Sequence, residues 1–326
     1  VSNKPLFVII SDVHFNIANL ELSTISVKTA LDKAEELQVP LIISGDLNDS
    51  KAIIRGEVIN ALINLFRFHR VPVYCLIGNH DLINERGTEH TLNFLKPYIN
   101  IIDQFSFIEL NNKPIYFIPY QSNKEDFYDK LKLIPQNSLI IMHQGITGAL
   151  AGDYIVDKSA VNPNYLKSYI VYSGHYHSSQ TIQNITFIGN PYTMSFGEAD
   201  DLPKGFAIIN QDYSIERINL NLRRHLIINY KLGDESKINI ENNIIKVKFS
   251  GLELVTKKKI AEDLFQGNLN FILEIDSKEL NNFPENHTEN SLSDTELFDK
   301  IIELNNDFVK TEELKRYWRE LVNENT

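Results

Sequence analysis

The chain has 326 residues, 43% of them hydrophobic, and a formal net charge of −11. That length exceeds one simple core, so two domains or one domain with appendages is expected, with a packed interior. A single cysteine, Cys75, excludes an internal disulfide, no apolar run approaches the roughly 18 residues of a membrane span, and no leader peptide stands out, so the expectation is a cytoplasmic protein without membrane contact.

In chain order, short apolar runs alternate with helical patterns, and five of the runs end in a polar motif. Phe7 to Ile10 reads as a buried strand and leads to Asp12-Val-His14. Leu22 to Leu37 carries apolar residues at 22, 25, 27, 30, 31, 34 and 37, a helical spacing. Leu41 to Ile43 leads to Gly45-Asp46-Leu-Asn-Asp49. A second helical stripe runs from Val58 to Phe68, apolar on more than one face. Val73 to Ile77 leads to Gly78-Asn79-His80-Asp81. Phe105 to Leu110 and Ile115 to Ile118 flank Asn111-Asn-Lys and read as a hairpin. Asp126 to Leu133 is a short helix. Leu139 to Met142 leads to His143, and Tyr169 to Tyr172 leads to Gly174-His175-Tyr-His177. Strands are expected at Thr186–Ile188, Phe206–Ile209 and Ser214–Leu220. No Gly-rich phosphate loop occurs. This is the pattern of an α/β two-sheet sandwich flanked by helices.

Past Leu220 the pattern changes. Strands at His225–Leu232, Asn243–Phe249 and Asn270–Ile275, with a helix at Leu252–Phe265, make a small α+β unit. Its lysines, Lys246, Lys248 and Lys257 to Lys259, read either as a solvated face or as part of a ligand surface. Asn281 to Asn290 is a polar linker. Two amphipathic C-terminal helices follow, one with Leu297, Phe298, Ile301, Ile302, Leu304 and Phe308, the other with Leu314, Tyr317, Trp318 and Leu321. They dock either on the chain's own core or on a partner.

The polar motifs share one chemistry. Each lies just past the C-terminal end of a strand, where loops converge on a rigid support. Two divalent cations about 3.5–4 Å apart can activate water and clamp a phosphate. A carboxylate must bridge them, and Asp46 is the candidate. Asp12, His14, Asp46, Asn79, His143, His175 and His177 are the candidate metal ligands. A mixed oxygen and nitrogen set suits Mn, Fe or Zn better than Mg or Ca. Asp153 and Asp157, between the fourth and fifth motifs, carry no assigned role. His69, His90, His225 and His287 read as surface or packing residues.

This set of motifs resembles the calcineurin-like metallophosphoesterase superfamily. More narrowly it resembles SbcD and the meiotic-recombination nuclease subunit of double-strand-break repair, above all the phage form, the small subunit of the T-even-type recombination endonuclease. The narrower likeness rests on Phe187-Ile-Gly-Asn-Pro191 and on Ser195-Phe-Gly-Glu198 followed by Lys204-Gly-Phe. It implies a nuclease domain at 1–221, a capping or DNA-binding domain at 222–280, a linker at 281–290 and an ATPase-binding helical segment at 291–326. It also implies two Mn2+ ions, with Fe2+, Zn2+ or Mg2+ as other options. One takes Asp12, His14, Asp46 and His177, the other Asp46, Asn79, His143 and His175. His80 then contacts the phosphate and protonates the leaving oxygen, and the Asp49 carboxylate pairs with His80. The partners implied are DNA, an SbcC-type ATPase with a coiled coil, and a second copy of the chain packed through helices near 54–69 and 88–96, in a bacterial or phage-infected cell.

The acidity opposes a stand-alone DNA binder, which usually carries a basic patch. From Ser277 onward there are twelve acidic against six basic residues, so over half of the excess lies in the tail. A nuclease that borrows DNA affinity from a partner fits this balance. A small-molecule phosphodiesterase fits as well, and a non-catalytic scaffold is the third reading.

Overall fold

The computed structural model describes residues 4–84, 89–152, 154–155, 160–230, 243–249 and 271–274. All fall in the first of two compact units, Val1–Glu274. The expected helix at 252–265, Lys257 to Lys259, Asp153, Asp157, His287, the linker and the C-terminal helices lie outside the described residues.

The elements begin with β1 (Pro5–Ile10), α1 (Leu20–Leu37), β2 (Leu41–Ile43), α2 (Gly56–Phe66), β3 (Val73–Leu76) and β4 (Asn100–Ile102). They continue with β5 (Ser106–Leu110), β6 (Lys113–Ile118), α3 (Lys124–Leu131), β7 (Leu139–His143), β8 (Leu150–Ala151) and β9 (Tyr154–Ile155). Then come β10 (Ile170–Gly174), β11 (Thr181–Ile182), β12 (Ile185–Phe187), β13 (Gly205–Asn210) and β14 (Ile215–Asn219). The last are β15 (His225–Tyr230), β16 (Ile244–Phe249) and β17 (Phe271–Glu274).

One six-stranded sheet has the order β14-β13-β1-β2-β3-β4, the other β11-β12-β10-β7-β6-β5. In the first sheet β13 and β14 run antiparallel to their neighbours at one side, and in the second the two outermost strands, β11 and β5, do so. β1, β2, β3 and β4 are parallel neighbours, as are β6, β7, β10 and β12. Parallel pairing brings the C-terminal ends of β1, β2 and β3 to one edge, and those of β7 and β10 likewise.

Side-chain alternation along the strands sorts the core into layers. Phe7 and Ile9 of β1 meet Phe117, Leu139, Ile141 and Tyr172 of the opposite sheet. Val8 and Ile10 point the other way, onto Val27, Ala30 and Leu31 of α1 and Leu62 and Phe66 of α2. Ile140, Met142 and Val171 cover the far side of the second sheet with Phe127 and Leu131 of α3. The result is a helix–sheet–sheet–helix sandwich, the architecture read from the sequence. α1 begins two residues earlier than its apolar spacing indicates. α3 begins at Lys124 because the Asn123 side chain accepts the Glu125 N–H and caps the first turn. The short strands β4, β8, β9 and β11 are additions to the sequence reading. The last three expected strands are present as a separate three-stranded sheet, β15-β16-β17, with all pairings parallel. Among the described residues no helix is long and apolar enough to cross a membrane.

Ile141 lies fully buried between the two large sheets. Ile141→Ala should cost about 2–5 kcal/mol in urea unfolding. A loss under about 1 kcal/mol would mean that the sheets do not pack face to face there.

Candidate metal centre

The five motif loops are fastened to one another at the shared edge. The N–H groups of Asp12 and His14 bond the carbonyls of Gly45 (3.2 Å) and Asp46 (3.0 Å). The Asp81 carboxylate accepts from the Asn48 N–H and the Gly78 N–H, both at 2.9 Å, and so ties the second loop to the third. Close approach demands glycine at Gly45 and Gly78. A Cβ at Gly45, whose φ is +98°, would lie 2.2 Å from His143 Nδ1, and one at Gly78 would lie 2.2 Å from Asp46 Oδ1. Asp12, His14, Asp46 and His175 have φ of 51°, 52°, 51° and 98°, a region that L side chains rarely adopt. Each such residue costs about 1–3 kcal/mol and persists where the surroundings over-determine it, most often at functional sites.

All seven candidate ligands come together there. Asp12, His14 and His177 present donor atoms within 4.8 Å of one another, as do Asp12, Asp46 and His143. His14 Nε2 and His177 Nε2 face each other at 3.2 Å. On the other side of Asp46, His143 Nε2 lies 3.3 Å from Asp46 Oδ2 and 3.1 Å from Asn79 Oδ1, and His175 Nδ1 lies 2.8 Å from the same amide oxygen. Two groups of donors thus meet at Asp46. His80 joins the cluster through its N–H, which donates to Asp46 Oδ1 at 2.8 Å.

Burial holds the His143 pKa down, but the Asp46 and Asp12 carboxylates outweigh it and raise it to about 9. Burial pushes Asp46 up, yet His143 and His14 keep its carboxyl below the ordinary range. Asp81 is pushed up to about 7, by burial first and by Asp46 second. His175 drops to about 3 through burial and the neighbouring His143. The Asp46 carboxylate therefore stays ionised, with positive charge drawn to it. The histidines fit a cation too. His143 Nδ1 sits 2.8 Å from the Ser44 carbonyl, which only accepts, so Nδ1 carries a hydrogen and Nε2 is the nitrogen that a cation would meet on displacing its proton.

One pairing differs from expectation. The Asp49 carboxylate does not face His80. Its Oδ1 lies 3.2 Å from His14 Nδ1, and Oδ2 accepts from Asn16 at 3.2 Å. His80 Nδ1 instead lies 2.9 Å from the backbone carbonyl of Asp49. The loop curls so that the main chain of Asp49, not its side chain, meets the ring. His69, His90 and His225 are hydrogen-bonded packing residues away from the cluster. Several site neighbours were not assigned from sequence. Asp81 stood inside the Gly-Asn-His-Asp motif. Tyr120, whose ring stacks on His175 at 6.0 Å, follows β6 with no motif to mark it. Glu198, 2.8 Å from His177 Nδ1, lay in the Ser-Phe-Gly-Glu stretch.

Residues 5–193 match the calcineurin-like phosphoesterase family, more than half of the chain. The chain belongs to that family. This phosphoesterase is 25% identical over 261 residues to the DNA double-strand break repair protein Mre11 of Methanocaldococcus jannaschii, with 69% of each chain covered. It is 26% identical over 169 residues to exonuclease subunit 1 of Enterobacteria phage T4, with 49% of each covered, so the match spans about half of that relative. Among solved structures it is similar to an archaeal phosphodiesterase, with 14% identity, a TM-score of 0.33, and 66% of this chain and 99% of that one covered. The family is divalent-metal dependent, and the donor cluster of this phosphoesterase has the composition to hold such ions.

If Asp46 is the shared anion, Asp46→Asn should drop bound metal well below two ions per chain and abolish phosphodiester hydrolysis. Elemental analysis of the purified variant beside wild type checks this. Two retained metals with normal turnover would sink the assignment.

Proposed function

We propose that this phosphoesterase is a Mn-dependent DNA nuclease subunit that works with an SbcC-type ATPase. The observation that carries the reading is the meeting of the Asp12–His14–His177 and Asn79–His143–His175 donor groups at Asp46. The two relatives, a break-repair protein and an exonuclease subunit, support DNA as substrate. Bound in this cluster, a pair of divalent cations supplies Lewis acidity toward a phosphodiester and a water acidic enough to react at neutral pH.

The chain's own residues do the rest. Asp12, His14, Asp46 and His177 would hold one ion, and Asp46, Asn79, His143 and His175 would hold the other. His80 keeps its Nδ1–H on the Asp49 carbonyl, which leaves Nε2 as the nitrogen free to meet substrate and to protonate the departing sugar oxygen. Asp49 supports this as a backbone acceptor and backs His14 with its carboxylate. Residues 222–280 cap the centre and guide DNA, and 291–326 engage the ATPase. A second copy packs through the helices near 54–69 and 88–96; Ile53 and Phe68, just outside α2, are exposed apolar residues that suit such a contact. A small-molecule phosphodiesterase is the second reading, favoured by the net charge of −11.

His80→Ala should keep both metals and lose about 10²–10⁴-fold in DNA cleavage, the usual worth of a general acid. Hydrolysis of bis-nitrophenyl phosphate, whose leaving group needs no proton, should fall much less. An equal loss on both substrates would favour a positioning role over an acid.

A chain ending at Asn290 should still hydrolyse bis-nitrophenyl phosphate with Mn near the normal rate. It should no longer co-purify with the ATPase and should lose ATP-stimulated duplex cleavage. Undiminished ATPase binding would place the docking site elsewhere, and unfolding would assign the tail to the core.

A further inference from the structure

Behind His177 lies a buried polar network that the phosphoesterase chemistry does not use directly. Nδ1 of His177 is 2.8 Å from Glu198 Oε1. The other oxygen of Glu198 accepts from Asn190 Nδ2 (2.9 Å), the Met194 N–H (3.0 Å) and Lys204 Nζ (3.3 Å). Lys204 is 3% exposed. Its ammonium also reaches Asp201 Oδ2 (2.7 Å), Asn190 Oδ1 and the carbonyl of His177 itself (3.1 Å). Asp201 in turn accepts from Ser178 Oγ at 2.8 Å. One lysine therefore grips both the backbone of His177 and the carboxylate that meets its ring.

The acceptors on the two sides of the centre differ. A carboxylate accepts behind His177 (Glu198, 2.8 Å), whereas a neutral carbonyl accepts behind His143 (Ser44, 2.8 Å). A carboxylate that accepts a ring N–H fixes the tautomer, orients the ring and makes the opposite nitrogen a stronger donor. A plain fold-stabilising ion network explains the burial of Lys204, but it gives no reason for one Glu198 oxygen to be spent on the imidazole that faces His14.

We propose that Glu198, held in place by Lys204, is a positioning residue that keeps His177 as the Nδ1–H tautomer with Nε2 aimed at Asp12 and His14, and so governs cation affinity on that side of the centre alone. This rests on the metal reading given above. Glu198→Gln removes the anionic acceptor and sets an amide N–H2 against either His177 Nδ1–H or the Met194 N–H and Lys204. It should weaken one of two Mn binding events about 10–100-fold. The other should change by less than about threefold.

The test is Mn titration by calorimetry on the full chain, beside ¹⁵N-histidine NMR of the metal-free protein. Wild type should bind two Mn, and its His177 signals, assigned with His177→Ala, should show Nε2 unprotonated. Glu198→Gln should weaken the same binding event that His177→Ala loses and shift His177 away from that tautomer. Glu198→Asp, which keeps the charge, should recover the tautomer. A wild-type His177 protonated on Nε2 overturns the proposal even if Glu198→Gln fails to fold. So does equal weakening of both Mn events in a folded Glu198→Gln. Absence of Mn binding by wild type, with the tautomer as expected, instead defeats the metal reading and leaves the Glu198 contact standing.

Discussion

The structure is organised around a cluster that is electrostatically unfavourable by itself. Asp12 and Asp46 are buried within reach of one another among imidazoles, and Asp81 is buried close enough to Asp46 to feel its charge. At low effective dielectric such carboxylates repel strongly, and each must be neutralised by a proton, a hydrogen bond or a cation. The chain meets that demand only by bringing loops from both sheets together and fastening them through backbone groups. The left-handed conformations at Asp12, His14, Asp46 and His175 belong to the same account. Local strain and buried charge are tolerated because two parallel strand sets, packed face to face, leave those loops no other place to go.

The same constraint alters how the overall acidity is read. Asp12, Asp46, Asp49 and Glu198 set acidic side chains at this edge, which by themselves oppose a phosphodiester. Divalent ions held there would reverse the local sign, because the ion is the largest charge in such a site. Net charge is therefore a poor gauge of what approaches this edge. It bears instead on the remaining surface, where a negative balance disfavours unaided binding to nucleic acid.

Much of this was legible in the sequence, for physical reasons. The five strands are short and apolar on both faces because each is buried between a sheet and a helix layer, so they stand out as runs. The residues after them are chemically distinctive, and their order follows the strand order. The remainder depended on directions that residue types do not encode. Asp49 is in the right loop, yet its carboxylate turns to His14 while its carbonyl meets His80. Asp81 looked like the end of a motif and is the clasp between two loops. Tyr120 has no neighbouring signal at all. β4 holds only Asn100, Ile101 and Ile102, too few residues for a periodicity, and owes its form to its pairing with β3.

Lys204 also immediately precedes β13, which pairs antiparallel with β1 and separates it from β14. The family match stops at residue 193, before that strand begins. A fragment trimmed to the match would leave β1 as an edge strand, with the unpaired main chain of Phe7 to Ile9 open to other molecules. It would strip Phe206 and Ile208 from one face of the sheet and Ala207 and Ile209 from the other. The recognisable catalytic segment and the length of chain able to fold unaided are therefore different things here. Relatives cut at the homology boundary would be prone to self-association through the first strand, and an inactive fragment of that kind would say nothing about the metal centre itself.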